Sequence, residues 1–288
     1  MYLGYKGKIL KFAHWTRVHP CYSPEAHFKH ARIHLPVAAK CNIQCNYCKR
    51  EINKCEWRPG VASCVLSPHR ALEWLRKTVE ARPELTVVGI AGPGEPLANR
   101  ETFLVLEKVR QQFPQLVKCV ATNGLLLAEK ADLLARLGVK TVTVTINAVN
   151  PQTASKIYEY IVYDGRKLEG VRAAEVLLRK QFEGVRTAVE EGLTVRVNMV
   201  LIPEINLGEA VKVAEKASRL GASLMNIIPL IPMHRFKGLR PPSCQELRET
   251  REKCERYLPQ FRLCKMCRAD ACGVPGLEKS VPHVQYRL

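Results

Sequence analysis

The sequence predicts an α/β protein, an open partial (β/α)6 barrel of the TIM-like kind with N- and C-terminal extensions. Three observations predict it. Apolar strand-like runs alternate with amphipathic helical runs six times, which implies a parallel sheet with right-handed crossovers. At 288 residues and 47% apolar, the chain can fill one barrel-sized domain with extensions, but its tail lacks the two further units of a closed eight-stranded barrel. The residues suited to chemistry fall where parallel α/β folds place their sites, at the carboxyl ends of the strands. These are Cys41 after the first strand, Gly92 to Glu95 after the second, the Thr-Asn-Gly at 122–124 after the third and Asn147 after the fourth.

Each unit has its own signal. RIHLPVA (32–38) reads as the first strand. Ser67-Pro68 opens a helix to about residue 81, with proline at its first position. LTVVGIA (85–91) is the second strand, and 100–113 is a helix with Phe103, Leu106 and Val109 on one face. QLVKCVAT (115–122) is the third strand, followed by a helix near 128–137. KTVTVTIN (140–147) alternates Val142, Val144 and Ile146 and is the fourth. Residues 151–192 read as a long helical region with a break near 163–165. LTVRVNMVLI (193–202) is the fifth strand, 207–220 a helix and ASLMNIIPL (222–230) the sixth strand. The division is an N-terminal extension over 1–31, the barrel over 32–242 and a C-terminal extension over 243–288, which carries five cysteines.

Composition narrows the function. No run approaches the roughly 20 apolar residues of a membrane span, and MYLGYKGKILKF at the start has no apolar core of a secretory signal. Twelve cysteines without such a signal point to metal or redox chemistry in a reducing, cytoplasmic compartment rather than to a disulfide scaffold. The net charge of +18 suits an anionic partner, either nucleic acid or a substrate with several negative charges. The basic residues are dispersed, so a solvated basic surface is the plainer reading.

CNIQCNYC (41–48) places Cys41, Cys45 and Cys48 at C-x3-C-x2-C spacing. A closed zinc site or an electron-transfer [4Fe–4S] cluster takes four protein ligands. Three on a [4Fe–4S] cluster leave one iron open. Buried free thiols, or part of a zinc site completed elsewhere, are the other readings. Directly after the first strand of a β/α barrel, with Tyr47 before the last cysteine, the motif resembles the radical S-adenosylmethionine (SAM) superfamily. The resemblance implies that the amine and carboxylate of SAM chelate the open iron, and that reductive cleavage of SAM yields a 5′-deoxyadenosyl radical. It implies that Tyr47 contacts adenine. Gly92, Pro93, Gly94 and Glu95 look like the superfamily's Gly-Gly-Glu element, whose carbonyls and carboxylate suit the methionyl amine. Asn147, Arg196 and Asn198 stand where later strands contact the SAM carboxylate and ribose. Polar barrel-lining residues are the alternative for these three.

HPCYSPEAH (19–27), HLPVAAKCNIQCNYC (34–48), RPGV (58–61), GIAGPGEPLAN (89–99), ATNG (121–124), VNMVLIPEIN (197–206), NIIPLIP (226–232) and CKMCRADA (264–271) together resemble the NifB family of nitrogenase iron–molybdenum cofactor maturases. The likeness runs in order through nearly the whole chain and matches the short form that is only the radical-SAM domain. It implies a lyase-type enzyme of nitrogen fixation with three [4Fe–4S] clusters, one binding SAM and two accessory. The two accessory clusters fuse into an eight-iron core around a carbide. One SAM gives its methyl, and a second supplies the radical that removes hydrogen from it. The implied partners are a NifU-like iron–sulfur cluster donor, a NifX- or NifEN-like cofactor acceptor and an electron donor, with no nucleic acid and no membrane.

The expected accessory ligands are Cys21, Cys264 and Cys267. Cys264 and Cys267 form a C-x2-C pair that otherwise reads as a zinc knuckle or idle thiols. His34 is an implied nitrogen ligand, although a lone strand histidine is more often a satisfied core residue. His27 shares a face with His30 on a short helix capped by Ser23, for which a surface face is the alternative. Cys119 is expected at the second accessory cluster, as ligand or reacting contact, with Cys55 a weaker candidate. Cys244, Cys254 and Cys272 have no expected role, and Glu25 either ligates iron or caps its helix. The chain departs from the family pattern at Cys64, where a glutamate is usual after Ser63, and at Trp57, where a small polar residue is usual. The competing functions are a radical SAM enzyme modifying tRNA or a peptide, and a non-enzymatic Fe–S scaffold or carrier. Salt-sensitive RNA binding would mark the first, more widely spaced tail cysteines the second and absence of 5′-deoxyadenosine formation the third.

Overall fold

The computed structural model describes residues 14–277. The start of the N-terminal extension, including the segment read for a secretory signal, and residues 278–288 of the C-terminal one lie outside the described residues. The main sheet holds six parallel strands: β1 (Ala31–His34), β2 (Leu85–Ile90), β3 (Val117–Thr122), β4 (Val139–Thr145), β5 (Thr194–Leu201) and β6 (Leu224–Pro229). Each pairs with its neighbour in sequence, so the sheet winds in one direction and is the expected open barrel. A seventh strand, β7 (Cys272–Gly273), lies antiparallel on β1, with Arg32 opposite Gly273 and Ile33 opposite Cys272. A two-residue strand has no period to read, so the sequence could not announce it.

The helices start where their caps predict. The Ser67 hydroxyl accepts from the Arg70 amide at 3.4 Å, with Pro68 leading the helix Pro68–Ala81. Helices Arg100–Gln112 and Leu127–Arg136 follow β2 and β3, and Ala210–Arg219 follows β5. One core joins the sheet to them through Ile33, Val88, Ile90, Val120, Val142, Val144, Val197, Met199 and Ile227, all buried. Each such side chain stabilises by about 1.5–3 kcal/mol.

The region 151–192 differs from expectation. Helix Pro151–Ile157 ends in a hairpin of strands Tyr158–Tyr163 and Arg166–Glu169, and helix Gly170–Glu190 follows. The turn is Asp164-Gly165, with φ +54° and +71°, the two-residue loop that matches strand twist. YEYIVY is rich in aromatic and β-branched residues up to that turn, so the signal was present but the helical periods on either side outweighed it. The hairpin adds to Ile43–Cys45, making a three-stranded sheet against the cysteine loop.

The C-terminal extension runs from one edge of the parallel sheet to the other. On β6, the Met225 amide donates to the Pro259 carbonyl and the Phe261 amide to the Met225 carbonyl, at 2.9 and 2.8 Å. On β1, the His34 amide donates to the Ala271 carbonyl at 2.8 Å, just before β7. The tail therefore spans the open side of the barrel, with Cys264 and Cys267 between its two anchor points. Arg268 and Asp270, almost fully buried, are paired at 2.8 Å. Asp270 accepts from the Ser63 amide at 2.6 Å, and Arg268 donates to the Asn53 carbonyl at 2.8 Å. Among the described residues no helix is long and apolar enough to cross a membrane.

Candidate functional site

The cysteine loop leaves β1 and is folded by its own backbone. The Cys48 amide donates to the Cys45 carbonyl at 2.9 Å, and the Gln44 side chain donates to both the Cys45 and Cys48 carbonyls at 2.9 Å. Asn46 is held from both sides, its amide on the Ile157 carbonyl and its carbonyl accepting from the Arg235 amide at 3.0 Å. Cys41, Cys45 and Cys48 are half-buried and within electrostatic reach of one another. Burial, then Glu95, pushes the Cys41 thiol up to about 11. Burial, then Cys48 and Cys41, pushes Cys45 well up. Burial also raises Cys48, against the pull of Arg50 and Arg58. Unloaded, all three are neutral thiols, and iron must displace their protons.

The Gly92–Glu95 loop is clamped to the chain entering Cys41. The Gly94 amide donates to the Ala38 carbonyl at 2.6 Å, the Glu95 amide to the Lys40 carbonyl at 2.8 Å and the Ala38 amide to the Gly92 carbonyl at 3.3 Å. A Cβ at Gly94 would collide with the Lys40 carbonyl, which is why glycine stands there. Glu95 is less open than the sequence suggests. It is 3% exposed and accepts from the Thr122 hydroxyl at 2.5 Å, the Asn123 amide at 2.7 Å and the Leu97 amide at 3.0 Å. Burial pushes its carboxyl up to about 7 against those hydrogen bonds. Oε2 accepts only one of the three and keeps capacity for an amine N–H.

Asn123 links this loop to the cysteines, donating to the Asn42 side chain at 2.7 Å. Thr122 and Asn123 stand at the strand end the sequence marked, while the part played by Asn42 was not foreseen. ATNG at the end of β3 was the signal for the first two.

Tyr47 and Asn147 form one unit. Asn147 donates to the Tyr47 and Tyr158 hydroxyls, each at 3.0 Å, and accepts from the Val200 amide at 2.8 Å. Both its N–H donors are spent within the protein and it is fully buried. It therefore holds the Tyr47 hydroxyl in place. Asn198 is half-buried and accepts from Asn226 at 3.1 Å.

Arg196, also expected at SAM, donates to the Cys21 carbonyl at 2.8 Å, with Cys21, Tyr22, Cys264 and Cys119 as its electrostatic neighbours. Cys21 in turn feels Arg196, Cys267, Cys119 and Cys264, and burial pushes its thiol up to about 12. The expected accessory cysteines thus converge from the N-terminal segment, β3 and the tail. Cys119 is the third residue of β3, deeper than the strand's carboxyl end. Burial raises its thiol, against the Thr141 hydrogen bond and Arg196. Arg32 donates to Cys267 Sγ at 3.2 Å.

The histidines divide by tautomer. His34 Nδ1 lies 3.0 Å from the Arg268 carbonyl, which can only accept, so Nδ1 carries the proton and Nε2 the lone pair. A backbone carbonyl in that role is the usual orienting partner of a metal-binding imidazole. Gly89, opposite His34 on β2, makes room for the ring, since a Cβ there would stand 3.0 Å from it. His19, which the sequence reading passed over, is the reverse. Its Nδ1 accepts from the Cys21 amide at 3.1 Å, and its buried Nε2 has no partner. Burial, then Arg196 and His34, holds His19 well below the ordinary histidine value. His27 is buried rather than on a surface face, its Nδ1 on the Pro20 carbonyl at 2.9 Å and its ring against Phe261. Phe261 packs with Cys21 and Cys264.

The remaining candidates stand apart. Cys55 and Cys244 are exposed and Cys254 is buried in the apolar core. Cys272 lies in β7, and Cys64 is half-buried beside Asp270, which helps raise its thiol after burial. Glu25 is exposed and ion-paired with Lys29 at 2.7 Å on its own helix. Among the described residues no three His, Cys, Asp or Glu side chains converge at single-ion distance. A cluster takes its thiolates on separate irons and does not require that. Three thiols beside a glycine-clamped loop fit a SAM-binding cluster, and cysteines flanked by the orphaned His19 Nε2 and Arg196 Nε fit a further polar or anionic group.

Comparison with known proteins agrees in extent. The model of the radical SAM superfamily matches residues 35–217. The chain is 48% identical over 271 residues to the FeMo cofactor biosynthesis protein NifB of Methanocaldococcus jannaschii, covering 93% of this chain and 90% of that one. It is 46% identical to the protein of that name in Methanocaldococcus infernus, covering 93% and 89%. The protein of that name in Klebsiella pneumoniae is 44% identical, but this chain covers only 59% of it. Among solved structures, Streptococcus suis SuiB superposes with a TM-score of 0.60 at 12% identity, over 82% of this chain and 50% of that one. A radical SAM methyltransferase from Sphaerobacter thermophilus gives 0.54 at 21%, over 80% and 64%. These last two likenesses concern the fold.

Proposed function

Since this chain belongs to the NifB family of the radical SAM superfamily, we propose that it is a radical SAM enzyme of FeMo cofactor biosynthesis, fusing two [4Fe–4S] clusters into an eight-iron core around a SAM-derived carbide. One observation carries the reading. A second set of cysteines, Cys21, Cys119, Cys264 and Cys267, comes together around Arg196 apart from the Cys41 loop.

Cys41, Cys45 and Cys48 would hold the resident cluster, which would supply the electron for the cleavage of SAM. The Gly92–Glu95 loop receives the methionyl amine, and Tyr47, fixed by Asn147, borders the adenine. Cys21, Cys264, Cys267 and His34 hold one substrate cluster, and Cys119 serves the second, with His27 behind Phe261 as a further candidate. One SAM gives its methyl to a substrate cluster, leaving S-adenosylhomocysteine. A second is cleaved by one electron to methionine and the radical, which takes a hydrogen from that methyl and leaves as 5′-deoxyadenosine. The remaining two hydrogens leave as protons, their electron pairs staying on the carbon as the clusters fuse around it. An iron–sulfur cluster donor, an electron donor and an acceptor for the product are the required partners, and the chain's net charge of +18 suits acidic ones.

The test is anaerobic. Iron, sulfide and EPR are measured after reconstitution for wild type and the Cys264→Ala/Cys267→Ala double variant. About twelve irons in wild type, falling by about four in the variant with the SAM-responsive signal intact, is the expected result. About four in both would return the protein to single-cluster chemistry, with tRNA or a peptide as the next substrate to examine.

A further inference from the structure

We infer that Arg196 is the built-in counter-charge of the substrate-cluster pocket: its guanidinium lies inside the barrel to hold an anionic, thiolate-ligated iron–sulfur cluster and to set that cluster's reduction potential. The inference deepens the function proposed above and rests on it.

Arg196 is 8% exposed on β5. Nη1 donates to the Cys21 carbonyl at 2.8 Å, while Nε is buried with no partner. The guanidinium carbon stands 5.5 Å from the Tyr22 ring centre and 6.0 Å from that of Phe261. Among the described residues Arg196 makes no ion pair with a carboxylate, and the titratable groups around it are Cys21, Tyr22, Cys264, Cys119 and His19. A guanidinium does not deprotonate in a protein, and a buried charge without a counter-charge is strongly unfavourable. Cys21, whose carbonyl Arg196 holds, packs with Cys264 against Phe261, so the guanidinium sits beside these two sulfurs with Nε still to be satisfied.

Iron on those sulfurs reverses the balance. Thiolates replace thiols, and the pocket acquires negative charge facing Arg196. Arg32, fully buried on β1, adds a donor at 3.2 Å to Cys267 Sγ. A fixed positive charge favours the more reduced, more negative state of a cluster, so it raises the potential. Contrast Arg268, equally buried, which has its own carboxylate in Asp270 and a purely structural set of carbonyl partners.

Arg196→Met and Arg196→Lys test this against wild type, each measured unloaded by thermal melting and loaded by iron content and EPR redox titration. The expected Arg196→Met protein melts, unloaded, no lower than wild type, because it has lost an unpaired buried charge. It then takes up fewer accessory irons, up to about four fewer, or holds them at a more negative midpoint potential. Its SAM-responsive signal is unchanged, and Arg196→Lys retains the iron. Full iron with an unchanged potential in Arg196→Met overturns the inference while leaving the proposed function standing. So does an unloaded melting point far below wild type that Arg196→Lys restores without any shift in potential, which marks a structural arginine. About four irons in wild type itself removes the proposed function and this inference with it.

Discussion

The amide of Gly94 donates to the carbonyl of Ala38 at 2.6 Å, which makes the loop after β2 and the chain entering Cys41 a single piece. A methyl at Gly94 has nowhere to go but into the Lys40 carbonyl. Gly94→Ala should cost about 1–3 kcal/mol by overpacking and displace Cys41 relative to Glu95. The expected readout is a lower melting temperature and a weakened SAM-induced change in EPR, with accessory iron retained. A normal SAM response would mean that the two loops move independently.

Glu95 gives the unloaded protein a pH dependence of definite sign. Burial raises its carboxyl to about 7 from the ordinary 4.5. A raised carboxyl contributes stability that is fully present below about 4.5 and is lost as pH rises through about 7, because the unfolded chain ionises first. The loss is about 3 kcal/mol at most. Glu95→Gln should flatten the fall in stability across that window, measured by urea unfolding at a series of pH values. Parallel curves for the two proteins would mean that the carboxyl is already ionised.

The Arg268–Asp270 pair holds the tail on the segment that carries Asn53 and Ser63. Asp270→Ala leaves Arg268 buried and unpaired, a cost of about 3–5 kcal/mol. Since the pair follows Cys267 directly, limited proteolysis should open the tail, and iron dependent on Cys264 and Cys267 should fall while the Cys41–Cys48 cluster remains. Wild-type iron content in this variant would separate tail anchoring from cluster loading.

The hairpin against the cysteine loop turns at Gly165, whose φ is +71° and around which a Cβ would meet open space. Any effect of substitution there comes from the backbone alone. Gly165→Val should cost about 1–2 kcal/mol, while Gly165→Asn, which tolerates that conformation, should cost less. The measurement is the alkylation rate of Cys45 in the unloaded protein, expected to rise for valine and hold for asparagine. Equal rates in all three would mean that the hairpin does not shield the loop.

Particular residues show what was legible. The C-x3-C-x2-C spacing and the Gly-Pro-Gly-Glu run are local, so both were readable, as were the six strand–helix units, each carrying its own period. Cys21, Cys119, Cys264 and Cys267 were readable as candidates through resemblance, and the fold brings them together. The bonds of Arg196 to Cys21 and of Asn147 to Tyr47, and the place of His19, were not legible. A polar residue on a strand declares its face but not its neighbour, and tautomers depend on which carbonyl or amide lies opposite.

The sequence by itself determined the winding of the barrel, the position of the Cys41 loop at the end of β1 and the family. Those follow from hydrophobic periodicity, capping and motif spacing along one stretch of chain. Only the tertiary structure decided that the tail crosses the open side from β6 to β1, that a hairpin flanks the cysteine loop and that the Arg196 guanidinium lies beside Cys21 with its Nε unpartnered. These are contacts between segments far apart in sequence. They are fixed by which backbone edges and buried charges remain to be satisfied once the local elements have packed, and no local pattern encodes that.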